Sequence, residues 1–171
     1  MFNQSVALNK QKGFGMIEII VSMLVLGVAV IGFAALQIRA LDVTGEAMFR
    51  TQAMSLAQDL AERMTINPNG AATYRDNWDT GAMSNYKCET ENCTPAEMAQ
   101  YDMKTINELV KASLPEGQIT LLQCIGHNNY CVYVSWNKTQ PDADGTETSC
   151  SNSDDTFVSG ADCVKLETSL L

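Results

Sequence analysis

Glu18 is the only ionisable side chain between Phe14 and Ile38, in a run that otherwise reads FGMI-IIVSMLVLGVAVIGFAALQI. A carboxylate in such surroundings is costly in hydrocarbon and normally has a partner or a function. The chemistry open to it is ion pairing. An ammonium close by would be held far more strongly in low dielectric than in water, and either charge alone would be expensive to bury. The competing reading is that Glu18 snorkels from near the helix end to the headgroups.

The second group that could do chemistry is the six cysteines, Cys88, Cys93, Cys124, Cys131, Cys150 and Cys163. Their intervals are C-x4-C, C-x6-C and C-x12-C, which do not match the usual short zinc-ligand pairs, and His127 is the only histidine. An even count in an oxidising compartment reads as disulfides. Pairing of sequence neighbours, Cys88–Cys93, Cys124–Cys131 and Cys150–Cys163, closes three local loops, although six cysteines permit fifteen connectivities. His127 reads as a polar turn residue. Asp142-Ala143-Asp144-Gly145 with Glu147 lacks the full ligand set of a calcium loop and reads as a solvated acidic turn. Asn137-Lys138-Thr139 fits a glycosylation sequon, a triplet that also arises by chance. No nucleophile-elbow or phosphate-loop pattern occurs, so a membrane-tethered enzyme is the least favoured class, and neither a metal nor a cofactor is expected.

These groups need elements to position them. The run from Phe14 to Ile38 is long enough to cross a bilayer, for which roughly 20 apolar residues suffice. A cleaved secretory signal would have a shorter apolar core and a small-residue cleavage site, which is not found here. Lys10 and Lys12 precede the run with no acid among residues 1 to 13, whereas Asp42 and Glu46 follow Arg39. The positive-inside rule therefore puts the N-terminus in the cytoplasm and the cysteines outside, where oxidation is expected. The whole chain has 171 residues and a formal charge of -9, which argues against a nucleic-acid partner.

Beyond Arg39 the pattern turns amphipathic. Phe49, Ala53, Leu56, Leu60 and Met64 fall on one helical stripe, and Asn67-Pro68-Asn69-Gly70 is a stop signal. One helix is expected over 14–66, its first half (14–38) apolar all round and its second half (39–66) packed by one face. Residues 71 to 93 read as a loop. Thr94-Pro95-Ala96-Glu97 is a capping box opening a helix that ends near Leu114-Pro115. Strands are expected at 118–124, 131–136 and 164–167, forming a small antiparallel sheet on the long helix. The fold class is therefore α+β.

The stretch Lys12-Gly13-Phe14-Gly15-Met16-Ile17-Glu18 resembles the leader signal of type IV prepilins and pseudopilins. The resemblance implies a type IV pilin fold: a leader over 1–13, the long helix over 14–66 and an exported domain over 67–171. It implies cleavage between Gly13 and Phe14 by a prepilin peptidase that is also an N-methyltransferase, methylation of Phe14, and a role for Glu18 in subunit assembly. The new Phe14 amine is then the partner that Glu18 requires, in its own subunit or a neighbour. Leu24 to Gln37, together with Ala57 to Met64, Leu114 to Gly117 and Val132 to Trp136, resembles the minor pilins of the PilV type, the type IV pilus modification proteins. Ala35 stands where major pilins typically carry proline, which also favours a minor pilin. The implied partners are other minor pilins, the major pilin and a tip adhesin, with residence in the inner membrane before assembly into a surface pilus. A type II secretion pseudopilin shares the leader and is the alternative.

Overall fold

The computed structural model describes residues 13, 15–76, 78 and 86–169. Residues 1–12, Phe14, Asn77, the segment 79–85 and residues 170–171 lie outside the described set. The chain forms two compact units, one up to Gly45 and one from Glu46 to Leu171.

The first unit is the apolar part of α1, the helix Met16–Ile66. Nothing within it is buried. Met16, Ile17, Leu24, Ile31, Phe33 and Leu36 are all more than 60 % exposed.

The second unit is built on the rest of α1. Its buried line is Ala53, Ala57, Leu60 and Met64, with Phe49 and Leu56 only partly covered. The stripe is thus rotated slightly from the one drawn through Leu56, because two small alanines let neighbouring elements approach the helix closely. After α1 a 3-10 turn at Pro68–Gly70 leads into α2, Ala71–Asp76. This corrects the expectation of a loop from residue 71. The six-residue helix has too short a period to show in sequence, and burial of Tyr74 holds it in place. Gly70 is required there. A Cβ would lie 2.5 Å from Asn67 Nδ2 and 2.8 Å from Pro95 O, where the Asn67 amide donates to the Pro95 carbonyl at 2.7 Å.

α3, Pro95–Ser113, starts with a complete capping box: the Thr94 hydroxyl accepts from Glu97 N, and Thr94 N donates to Glu97 Oε2 at 2.8 Å. The Thr94 N–H, and then its hydroxyl, which donates to the same Oε2 at 2.8 Å, hold the Glu97 carboxyl below its ordinary range. The helix buries Ala99, Met103, Ile106 and Val110 against α1 and the sheet.

Three antiparallel strands follow, β1 Gln118–Gln123, β2 Tyr130–Ser135 and β3 Cys163–Thr168, in the order β1-β2-β3. The register places Leu121, Val132 and Leu166 side by side, and likewise Ile119, Val134 and Val164. These six line the face toward the helices. On the opposite face Cys131, Tyr133 and Cys163 form a second, smaller core with Cys124 and Cys150, under the polar segment 137–162. Alternation of side chains along a strand separates the two cores.

Candidate functional site

Gly13 and Gly15 are outside the helix, and α1 begins at Met16. Glu18 N donates to Gly15 O at 3.0 Å, and Ile19 N to the same oxygen at 3.4 Å. Glu18 therefore sits in the first turn, where a negative side chain is favoured by the positive end of the helix dipole. Ser22 Oγ donates to Glu18 O at 2.6 Å, so the one hydroxyl of this stretch is satisfied by the backbone. Phe14, the residue expected to supply the amine, lies outside the described residues.

From Ile19 to Leu36 Ser22 is the only polar side chain on the helix. The most apolar 18-residue window has a mean hydropathy of 2.8 and none of it is buried. The helix is long and apolar enough to cross a membrane. An exposed apolar surface of this size marks a membrane or protein interface. At about 25 cal/mol per Å2, leaving it in water would cost more than a small domain's net stability.

The cysteines lie in the second unit. Cys88 is bonded to Cys93, Cys124 to Cys131 and Cys150 to Cys163, and no described cysteine is free. The middle bond closes the β1–β2 hairpin beside His127, which is exposed. The last joins the 137–162 segment to the start of β3. Among the described residues no group of three or more His, Cys, Asp or Glu is arranged to hold a metal ion. The Asn137-Lys138-Thr139 triplet is engaged internally. Asn137 Nδ2 donates to Asp162 Oδ2 at 2.8 Å, and the buried Thr139 hydroxyl accepts from Asp162 N at 2.9 Å.

Residues 8–34 match the model of the prokaryotic N-terminal methylation motif, and residues 35–104 that of the type IV pilin Tt1218-like family. The two matches run without a gap over more than half of the chain. The chain belongs to the type IV pilin-like family. No curated protein and no solved structure matches it. As a type IV pilin-like chain it is a pilin or pseudopilin subunit, and its methylation motif implies processing by a prepilin peptidase. The long helix, the three-stranded sheet and the disulfides are the pilin architecture.

Sequence reasoning overlooked one constellation in this pilin-like fold. Asp102, on α3, is almost fully buried and accepts from Tyr74 OH at 2.5 Å and from Arg63 Nη1 at 2.9 Å. Burial, and then the bond to Asp102, hold the Tyr74 phenol above its ordinary range. The bond to Asp59, more than that to Asp102, holds the Arg63 guanidinium above its own. The cluster joins α1, α2 and α3. With each of its polar groups bonded to another, it reads as a structural clasp.

Proposed function

We propose that this chain is a minor type IV pilin, a non-enzymatic subunit that helps prime or cap pilus assembly in a tip complex. Residues 1–13 are a cytoplasmic leader, 14–38 the membrane and assembly half of the helix, 39–66 its packed half and 67–171 the exported domain. Cleavage falls between Gly13 and Phe14, and Phe14 is then N-methylated. The observation that carries the reading is Glu18 in the first turn of a helix whose apolar first part is unburied, directly behind the Gly13-Phe14 junction.

Removal of the leader replaces a neutral amide with a cation at the head of that helix. A neighbour's Phe14 amine and Glu18 then neutralise one another as the apolar helices pack, and the pair is held where water cannot screen it. Before assembly the subunit waits in the inner membrane, N-terminus in the cytoplasm and disulfide-bonded domain in the periplasm. Its partners are the prepilin peptidase and N-methyltransferase, the other minor pilins, the major pilin and a tip adhesin. Through these the subunit serves adhesion and twitching motility. It takes no cofactor, no metal and no nucleic acid. The resemblance to PilV-type minor pilins supports this reading of it as an accessory subunit.

Sheared surface pili and membranes from the same cells test this by mass spectrometry. The mature N-terminus should be a methylated Phe14, and the chain should occur in pili at low abundance beside a major pilin. Absence from pili, with loss of protein secretion in a deletion strain, would instead make it a minor pseudopilin of a type II secretion system. An intact N-terminus on protein from native membranes or pili would remove the processing reading altogether.

A further inference from the structure

We infer that Gly15 is a positioning residue for leader removal: it ends α1 so that the Gly13 carbonyl stays outside the helical ladder and open to attack. The inference rests on the cleavage site given under Proposed function. Hydrolysis of the Gly13–Phe14 amide adds one water, leaving a carboxylate on Gly13 and an amine on Phe14, which takes up a proton. The attacking oxygen must reach the carbonyl carbon of Gly13. In an α-helix each carbonyl accepts from the N–H four residues on, and the helix wall surrounds it.

Were α1 one turn longer, Gly13 O would accept from Ile17 N and the scissile amide would lie inside that wall. It does not. Among the described residues the first carbonyl to receive helical bonds is that of Gly15, from Glu18 N at 3.0 Å and Ile19 N at 3.4 Å. Gly13 and Gly15, the described residues on either side of Phe14, are both non-helical.

Neither crowding nor strain demands a glycine at position 15. A Cβ there would meet only Ile17 Cγ2 at 3.8 Å, and the residue is not in the left-handed region. What glycine supplies is poor helix propensity, at the point where a strongly apolar helix would otherwise propagate toward the leader.

The test is the rate of leader removal in cells carrying the native peptidase, followed by pulse-chase for wild type, Gly15→Ala and Gly15→Asn. Alanine invites the helix forward, and asparagine, though larger, is a good N-cap that stops it. Gly15→Ala should be cut about fivefold more slowly, the factor that the propensity difference between the two residues corresponds to. Gly15→Asn should be cut at close to the wild-type rate. In detergent, uncut Gly15→Ala should also protect the Ile17 amide from hydrogen exchange more than uncut wild type does. Equal cutting of all three overturns the inference. Equal slowing of Ala and Asn also overturns it, since the peptidase would then be reading side-chain size. If the wild type itself keeps its leader, the cleavage site fails, a different result from either.

Discussion

Arg63 donates from Nη1 to Asp102 Oδ1 at 2.9 Å, tying the last turns of α1 to the middle of α3. The two partners are unequal. Asp102 has 6 % of its side chain exposed and Arg63 31 %, and Arg63 also spans Asp59 at 2.8 Å on its own helix. A buried carboxylate is tolerable only while paired, so its partner matters more than the surface pair does.

Arg63→Met should therefore destabilise the chain by about 2–3 kcal/mol, below the ~3–5 expected for a fully buried pair because Arg63 is partly solvated. Asp59→Ala should cost no more than about 0.5 kcal/mol, as an exposed pair one helical turn apart. Urea unfolding of the full chain in detergent distinguishes them. Equal effects would mean that Asp102 is not the charge that Arg63 serves.

Tyr74 gives a pH signature. Its phenol donates to Asp102, and burial followed by that bond raises its pKa in the folded chain. A group that binds its proton more tightly when folded stabilises fully below its unfolded pKa of ~10, and the contribution is lost as pH rises through the folded value. Stability should therefore fall above pH ~10 more steeply in wild type than in Tyr74→Phe. The Phe variant should already be weaker at pH 7 by about 1–3 kcal/mol, since Asp102 loses a donor. Phenolate absorbance should likewise show one late-titrating tyrosine fewer. Parallel stability curves above pH 10 would contradict the assignment.

The long helix was legible because its signals reinforce one another: an apolar run without proline, an amphipathic continuation, and Asn67-Pro68 to end it. The capping box at Thr94 and Glu97 and the three strands were legible for similar reasons, since each uses a local rule that tertiary packing did not override. α2 was not, being too short for periodicity. Asp102 was overlooked although a signal existed. It stands three residues after Ala99 and beside Met103, on the stripe that α3 buries, and a carboxylate in such a place asks for a cation. What the sequence could not say is that Arg63 and Tyr74 come from elements 39 and 28 residues away. Around Glu18 the residue types were plain, but only the backbone gave Gly15 as the last residue before the helix.

The outer face of the sheet depends on sulfur more than on hydrocarbon. Beneath residues 137–162 the buried side chains are Cys124, Cys131, Tyr133, Cys150 and Cys163. Lys165 adds a pair to Asp155 at 2.8 Å from the segment above it. Cys150→Ser with Cys163→Ser should release this segment and leave the helix-facing core folded, because Val132, Val134 and Val164 belong to the other core. Opening a loop of this length forfeits about 3 kcal/mol in the chain-entropy model. Hydrogen exchange should rise across 137–162 and stay low in α3 and β2. Uniform loss of protection would show that the two faces fold as one unit.

Glu18 decides the assembly reading. Glu18→Ala should insert normally, since the helix becomes more apolar while Lys10 and Lys12 still set its orientation. Leader removal should continue, because Lys12, Gly13, Phe14 and Gly15 are unchanged. Incorporation should fail, because a neighbour's Phe14 amine would enter the helix bundle without its counter-charge. Breaking a buried pair costs roughly 3–5 kcal/mol, enough to reduce incorporation by two orders of magnitude or more. Glu18→Asp keeps the charge but shortens its reach, so it should be intermediate. Comparison of membrane and sheared-pilus fractions for the three proteins measures this directly. Entry of Glu18→Ala into pili at the wild-type level would leave Glu18 as a carboxylate that merely reaches the headgroups, and the amine would need another partner.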